Sequence, residues 1–197
     1  MHVSLETHEA LVASWLDTEG TVNTNDEILQ WLKEENQSVV AMLRPSQLSS
    51  SDYWYLDEKN REIVNRDRAF FRIAGIKGHL SDGHDIEQPI IIQEEIGYLG
   101  IICKEIDGRI NFLMQAKIEP GNVNKVQVSP TIQATKSNYS QRHGGRKPLY
   151  LEEFQNAAGF EPIYDSIQSE QCSRFLTKFN RNVIIRTHED IEVAPHF

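Results

Sequence analysis

Leu113-Met-Gln-Ala-Lys-Ile-Glu-Pro-Gly-Asn122 decides how this sequence is read. Taken with the residues before it, the stretch sorts by polarity with a period of two. Ile110, Phe112, Met114, Ala116 and Ile118 alternate with Asn111, Leu113, Gln115, Lys117 and Glu119, and Leu113 alone interrupts the polar series. Successive side chains of a strand point to opposite faces, so this is a strand with one apolar and one polar side. Pro120-Gly-Asn122 then supplies a turn, after which Val126, Val128, Ile132 and Ala134 alternate with Gln127, Ser129, Thr131, Gln133 and Thr135. Pro130 has no N–H for a ladder, so it bends this second strand or places it at an edge.

A solvated sheet face gives the same alternation. Composition sets this one apart, because exposed faces tend to carry Lys, Glu and Thr. Here Gln115, Gln127 and Gln133 join the hydroxyls of Ser129, Thr131 and Thr135, and Lys117 stands on the same side as Glu119. Amides and hydroxyls recognise a polyhydroxylated ligand through directional hydrogen bonds, while an ammonium and a carboxylate pointing the same way can divide acid and base work.

These residues also carry a family resemblance. Gln88-Pro-Ile-Ile-Ile-Gln-Glu-Glu-Ile-Gly97, Leu113 to Asn122, Ser129-Pro-Thr-Ile-Gln-Ala-Thr135 and Ser137-Asn-Tyr139 resemble signatures of the NDP-hexose 2,3-dehydratases of deoxysugar biosynthesis. Gln168-Ser-Glu-Gln-Cys-Ser-Arg-Phe-Leu176 is similar to another block of that family, with Cys172 in place of the expected Gly. The blocks follow the family's order from about Trp54 to Arg186. The resemblance implies an α+β, Nudix-like fold, a mixed β-sheet packed with helices, and cofactor-free dehydration of a nucleotide-linked 4-keto-6-deoxyhexose, the dTDP form first. The metal-binding glutamates of a Nudix hydrolase box are not visible, and no metal is expected. Members of the family are usually built from two related repeats, whereas this chain covers one. That leaves open a fragment, a truncated gene, or a single-repeat protein that pairs with a second copy of itself; the rival function is a sugar-nucleotide-binding module without turnover.

Composition narrows the setting. The 197 residues are enough for a buried core, and the net charge of −9 with a pI of about 5.3 argues against general affinity for nucleic acid or anionic membrane. Any anionic ligand must be met by a local basic patch. No apolar run approaches the ~20 residues of a membrane span, and Met1-His-Val-Ser-Leu-Glu lacks the regions of a signal peptide, so a cytoplasmic protein is expected. Two cysteines, Cys103 and Cys172, make no disulfide framework or zinc site.

Along the chain, helical spacing predicts helices over about 5–17 and 25–37, the second opened by a capping box at Thr24 and Glu27. These form an N-terminal helical segment, 1–45, ahead of a sugar-nucleotide-binding domain, 46–197. Strand patterns flank Asp57-Glu-Lys-Asn60 and run through Phe70–Ile76, Pro89–Glu94 and Leu99–Glu105, and Asp107-Gly108 is a two-residue hairpin signal. His79 to Asp85 reads as a solvated turn despite its two His and two Asp. Pro148 and Gly159 predict a helix between them with Leu151 and Phe154 buried. Cys172, Phe175, Leu176 and Phe179 predict a further helix with Arg174, Lys178 and Arg181 on another face, and a last strand begins at Val183.

Two places can hold an anion. Lys136 to Pro148 contains Lys136, Arg142, His143, Arg146 and Lys147 with no acidic residue, and Gly144-Gly145 offers bare backbone beside them. The second is the Arg174 face. The expected catalytic pair is thus Lys117 and Glu119, with their roles open. Gln115, Gln133, Thr135, Asn138, Tyr139, His143, Arg146 and Arg174 are the expected substrate contacts, and Trp54 and Tyr139 are candidates to pack on the base.

Overall fold

The computed structural model describes residues 4–17, 21–135, 147–155 and 158–197. Two helices lead: α1, Leu5–Leu16, and α2, Asn25–Ser38. The expected capping box opens α2, with Glu27 N–H donating to Thr24 Oγ1 at 3.2 Å and Thr24 N–H to the Glu27 carboxylate at 2.7 Å. After a 3₁₀ turn at Leu48–Ser50, the strands β1 (Trp54–Asp57), β2 (Glu62–Asn65), β3 (Arg72–His79) and β4 (Asp85–Ile92) form an antiparallel meander in chain order. The β1–β2 turn is the Asp57–Asn60 stretch, held by Asp57, whose carboxylate accepts from Asn60, Lys59 N–H and Arg68.

A second, mixed sheet carries the core. It comprises β5 (Gly97–Ile106), β6 (Arg109–Ile118), β7 (Val126–Pro130), β8 (Ile132–Ala134), β9 (Phe160–Ser169) and β10 (Phe179–Thr187). Hydrogen-bonded neighbours run β7-β6-β5-β10-β9, with β8 on β5; β10 is parallel to β5 and the other pairings are antiparallel. Asp107 and Gly108 join β5 to β6 with φ of 51° and 77°, the positive pair that a tight hairpin turn demands. The fold is α+β, as the sequence implied.

How β5 and β6 part company explains the shape of this sheet. β6 pairs with β5 only from Arg109 to Leu113, and from Met114 to Ile118 its partner is β7. β5 likewise leaves β6 after Ile102 and takes β8 at Gly100 to Tyr98. At the fork stands Thr131, 1% exposed, between β7 and β8. Ile102 N–H donates to its hydroxyl at 2.9 Å, and the hydroxyl donates to Leu113 C=O, replacing the ladder bond that the divergence removes. Pro130 is the bend the sequence predicted. Beyond it Ile132 and Ala134 turn into a core with Ile102, Val183, Ile185, Leu151 and Phe154. Gly100 permits that packing, since a Cβ there would lie 2.7 Å from Ile132 Cγ2 and closer still to the Phe154 ring.

Three sequence expectations change. Residues 172–179 are not a helix: Arg174 and Phe175 N–H both donate to Gln171 C=O in one turn, but Thr177 then takes a φ of 48°, and Phe179 begins β10. The apolar spacing there misled because Ile91 of β4 claims the backbone instead, donating to Arg174 C=O and accepting from Leu176 N–H. The helix after Pro148 is a single turn, α3, Leu151–Phe154, whose two apolar ends are buried as expected. Gly159 (φ 84°) lies beyond the Gln155 cap and leads into β9, a strand that the sequence reading left unassigned.

Thr131→Val keeps the shape and removes the hydroxyl, leaving buried Ile102 N–H and Leu113 C=O without their partner. Since an orphaned buried polar group costs about 1–3 kcal/mol, the variant should lose at least that much stability in denaturant titrations, and Thr131→Ser should recover most of it. A Val variant as stable as wild type would show that the fork does not depend on the hydroxyl.

Candidate functional site

The polar side of β6 survives in the structure as an organised surface. Antiparallel register sets Gln115 opposite Ser129 and Lys117 opposite Gln127, so odd-numbered residues of β6 and β7 share one side. Lys117 Nζ lies 2.8 Å from Glu119 Oε1, with the Lys side chain 24% and the Glu side chain 46% exposed. Partial burial on one partner keeps this pair from the full screening of a surface ion pair. Gln115 is anchored, its amide nitrogen donating to Pro130 C=O at 2.8 Å and Thr131 C=O at 3.1 Å. Both its N–H donors therefore serve the corner that Thr131 builds.

Gln115 and Lys117 line a cavity of about 480 Å³ whose other walls come from distant parts of the chain. Glu35 and Ser38 of α2, Leu149, and Pro195 to Phe197 all reach it. The C-terminal segment is tied down here: Ala116 N–H donates to His196 C=O at 2.8 Å, and His196 Nδ1 is 2.9 Å from Glu35 Oε2. Tyr150 braces the same segment, since its hydroxyl donates to Glu192 C=O and accepts from Ala194 N–H, and its ring meets Phe197 edge-on at 5.0 Å. Sequence reading missed Glu35, Leu149 and His196, for they lie far apart in the chain and no local pattern links them. A larger and mainly apolar cavity of about 770 Å³ adjoins, sharing Phe197 and lined by Ile28 and Trp31 of α2 with Phe112 and Met114 of β6.

The remaining expected contacts are spread. Gln133 is exposed on β8, its amide oxygen 3.4 Å from Ser129 Oγ, and Thr135 follows at the strand's end, half-buried. Arg174 is exposed in the turn beside β4 and lines neither cavity. Asn138, Tyr139, His143 and Arg146 lie outside the described residues, as do Lys136 and Arg142. Trp54 stacks on Phe71 at 4.8 Å with Tyr53 edge-on, within the first sheet.

The cationic helix face dissolves with the helix. Lys178 is 5% exposed and donates to Glu95 C=O; burial pushes its ammonium below the usual lysine range, with Glu170 and Glu95 opposing. Arg181 is held by Asp165 through two bonds, at 2.8 and 2.5 Å, and donates to Tyr98 OH at 2.8 Å. Neither is free to meet a phosphate.

Sequence comparison adds an independent line. The family model for NDP-hexose 2,3-dehydratase matches residues 25–197. A dTDP-4-dehydro-6-deoxy-alpha-D-glucopyranose 2,3-dehydratase of Amycolatopsis orientalis is 37% identical over 96% of this chain and 42% of its own length. Enzymes of the same name from Saccharopolyspora spinosa and Streptomyces violaceoruber are 44% and 41% identical, over 73% and 85% of this chain. They are covered over 30% and 38% of their lengths, so the chain spans well under half of each of these relatives.

Arg181 holds the Asp165 carboxyl below the usual aspartate range, chiefly by hydrogen bonding. A lowered folded-state value means stability that is complete above about pH 4 and is lost as pH falls through that value. Because both side chains are about a third exposed, at 36% and 29%, Asp165→Asn should cost about 1 kcal/mol at neutral pH. The difference from wild type should shrink in melts run near pH 2–3; a cost that does not vary with pH would mean the pair is not its source.

Proposed function

The chain belongs to the NDP-hexose 2,3-dehydratase family, and from that premise we propose that it removes water across C2 and C3 of a nucleotide-linked 4-keto-6-deoxyhexose, with dTDP as the carrier. The observation that carries this reading to particular residues is the Lys117–Glu119 pair at 2.8 Å, with Lys117 in the wall of a cavity beside Gln115. The C4 ketone acidifies the hydrogen on C3. A base removes that proton, the C2–O bond breaks as an acid protonates the departing hydroxyl, and an enol spans C2 and C3. Protonation at C2 then gives the 3,4-diketo-2,6-dideoxy sugar and one water. In the resting pair the carboxylate is the group able to accept a proton and the ammonium the one able to give one, which favours Glu119 as base and Lys117 as acid.

The smaller cavity takes the hexose, with Gln115 and Lys117 of β6 in its wall, while Gln133 and Thr135 stand outside that wall as further candidates. The adjoining apolar cavity offers Trp31 and Phe112 to the nucleoside. The basic stretch from Lys136 to Pro148, with Asn138, Tyr139, His143 and Arg146, supplies the diphosphate contacts; what supports this is its charge in an acidic chain and its exit at Leu149 into the cavity wall. Arg174 remains an outlying candidate. The mixed parallel and antiparallel sheet supports the Nudix-like reading, and the placement of every described strand after residue 45 supports the division into 1–45 and 46–197. Among the described residues no helix is long and apolar enough to cross a membrane. The two free cysteines, with an acidic composition, support a cytoplasmic setting. A second reading, a sugar-nucleotide-binding module without turnover, is favoured by the coverage of 30–42% of the relatives.

Lys117→Met and Glu119→Gln should each lower turnover about 10²-fold or more while leaving the melting temperature near wild type, because general acid–base groups are worth roughly that much. Near-wild-type turnover in both variants takes the pair out of the mechanism.

Homodimerisation is the second expectation. Among the residues of α1 and α2, Trp15 is 83% exposed, Leu5 73%, Leu16 71% and Leu29 64%, an apolar surface unusual for a small monomer. A second copy related by a two-fold axis would cover it. Light scattering at micromolar concentration should give about twice 22.7 kDa, and a mass near 22.7 kDa itself would rule this out.

A further inference from the structure

One residue beyond the proposed pair bonds to the backbone of both its members, to Lys117 through its side chain and to Glu119 through its own N–H. Asn122 closes the turn that carries Glu119: its own N–H donates to Glu119 C=O at 3.0 Å. Its amide nitrogen donates to Lys117 C=O at 3.2 Å and to Lys125 C=O at 3.3 Å. The last ladder pair of this hairpin is Ile118 with Val126, so the Asn122 amide is the brace across its open end. Glu119 lies beyond that pair, and the ladder does not fix where its carboxylate sits. The Lys117 backbone is within the ladder, opposite Gln127. The separation of an ammonium rooted in the ladder from a carboxylate rooted in the turn therefore depends on what holds the turn to the strand.

Asparagine is suited to this task for a chemical reason. One nitrogen supplies two donors to two carbonyls, which an ionised aspartate cannot do and an alanine does not attempt. Pro120 and Gly121 shape the turn but offer no side-chain donor. Proton transfer needs its groups held within a few tenths of an ångström, so a brace at this point bears on rate more than on substrate affinity.

We propose that Asn122 is a positioning residue for the Lys117–Glu119 pair, setting the carboxylate against the ammonium through the backbone of the turn. This rests on the acid–base assignment to that pair. Asn122 makes no claim on substrate, so its loss acts on kcat and leaves KM nearly unchanged.

A double-mutant cycle on the full 197-residue chain, with dTDP-4-keto-6-deoxyglucose as substrate, tests it. Asn122→Ala should lower kcat about tenfold in the wild-type background and by less than about twofold in the Glu119→Gln background, where there is no longer a carboxylate to position. Asn122→Asp, which keeps the shape without the donors, should repeat the pattern and serves if the alanine variant does not fold. An equal loss in both backgrounds would mark a general structural effect and overturn the proposal, as would no loss in either. Failure of the underlying assignment has a different signature: Lys117→Met and Glu119→Gln would themselves turn over like wild type.

Discussion

A single hydroxyl group sits where the main sheet divides. β5 and β6 cannot remain paired along their whole lengths, because each takes a different second partner, and the point of divergence would strand a donor on Ile102 and an acceptor on Leu113. Thr131 answers both at once, accepting from the one and donating to the other. A buried side chain that must do both while leaving little room has few alternatives to Ser or Thr. The fork is further tied by Gln115, whose amide holds the carbonyls of Pro130 and Thr131. The consequences run in two directions from this corner: Ile132 and Ala134 enter the core, and the polar side of β6 is left open to line a cavity.

The helices follow a different logic, since little of either is fully buried, although Ala10 and Leu11 of α1 pack against Cys103, Ile110 and Ile163. Among their described residues α1 buries only Thr7, and α2 buries none. Polar side chains on each helix instead satisfy backbone groups of the strands. Ser14 accepts from Ile110 N–H at 2.7 Å, and Asn36 accepts from Val126 N–H while its amide donates to Val126 C=O. Ion pairing adds to this through Arg109 and Asp17, 2.5 Å apart. Helices fastened in this way cover strand edges that would otherwise invite pairing, yet keep apolar residues such as Trp15 and Leu29 on the outside. The α2 face also forms one side of both cavities, so the site's outline depends on a helix attached by a few hydrogen bonds.

What the sequence made legible follows from range. The period of two over residues 110–118, the Asp107-Gly108 turn and the Thr24 capping box are signals contained within a few residues, and each appears in the structure where it was read. The stretch 172–179 was misread because its apolar spacing fits a helix while the force that decides its conformation, pairing with Ile91, comes from β4. Lys178 and Arg181 suggest one charged face for the same reason; in the structure Lys178 precedes β10 and is engaged by Glu95, while Arg181 lies within β10 and is engaged by Asp165. The pairing of Lys117 with Glu119 is legible because they are two residues apart, where β6 runs into its turn. The cavity around Lys117 was not, since Glu35, Leu149 and His196 meet there only through tertiary structure, and family motifs name residues without naming the walls between them.

The proposed dehydration at C2 and C3 is tested by mass spectrometry of the sugar nucleotide after incubation with the purified protein. With dTDP-4-keto-6-deoxyglucose in excess and no cofactor added, a product lighter than the substrate by one water should accumulate catalytically. Recovery of unchanged substrate, with binding shown by calorimetry on the same sample, would contradict it and leave a module that holds the nucleotide sugar without converting it.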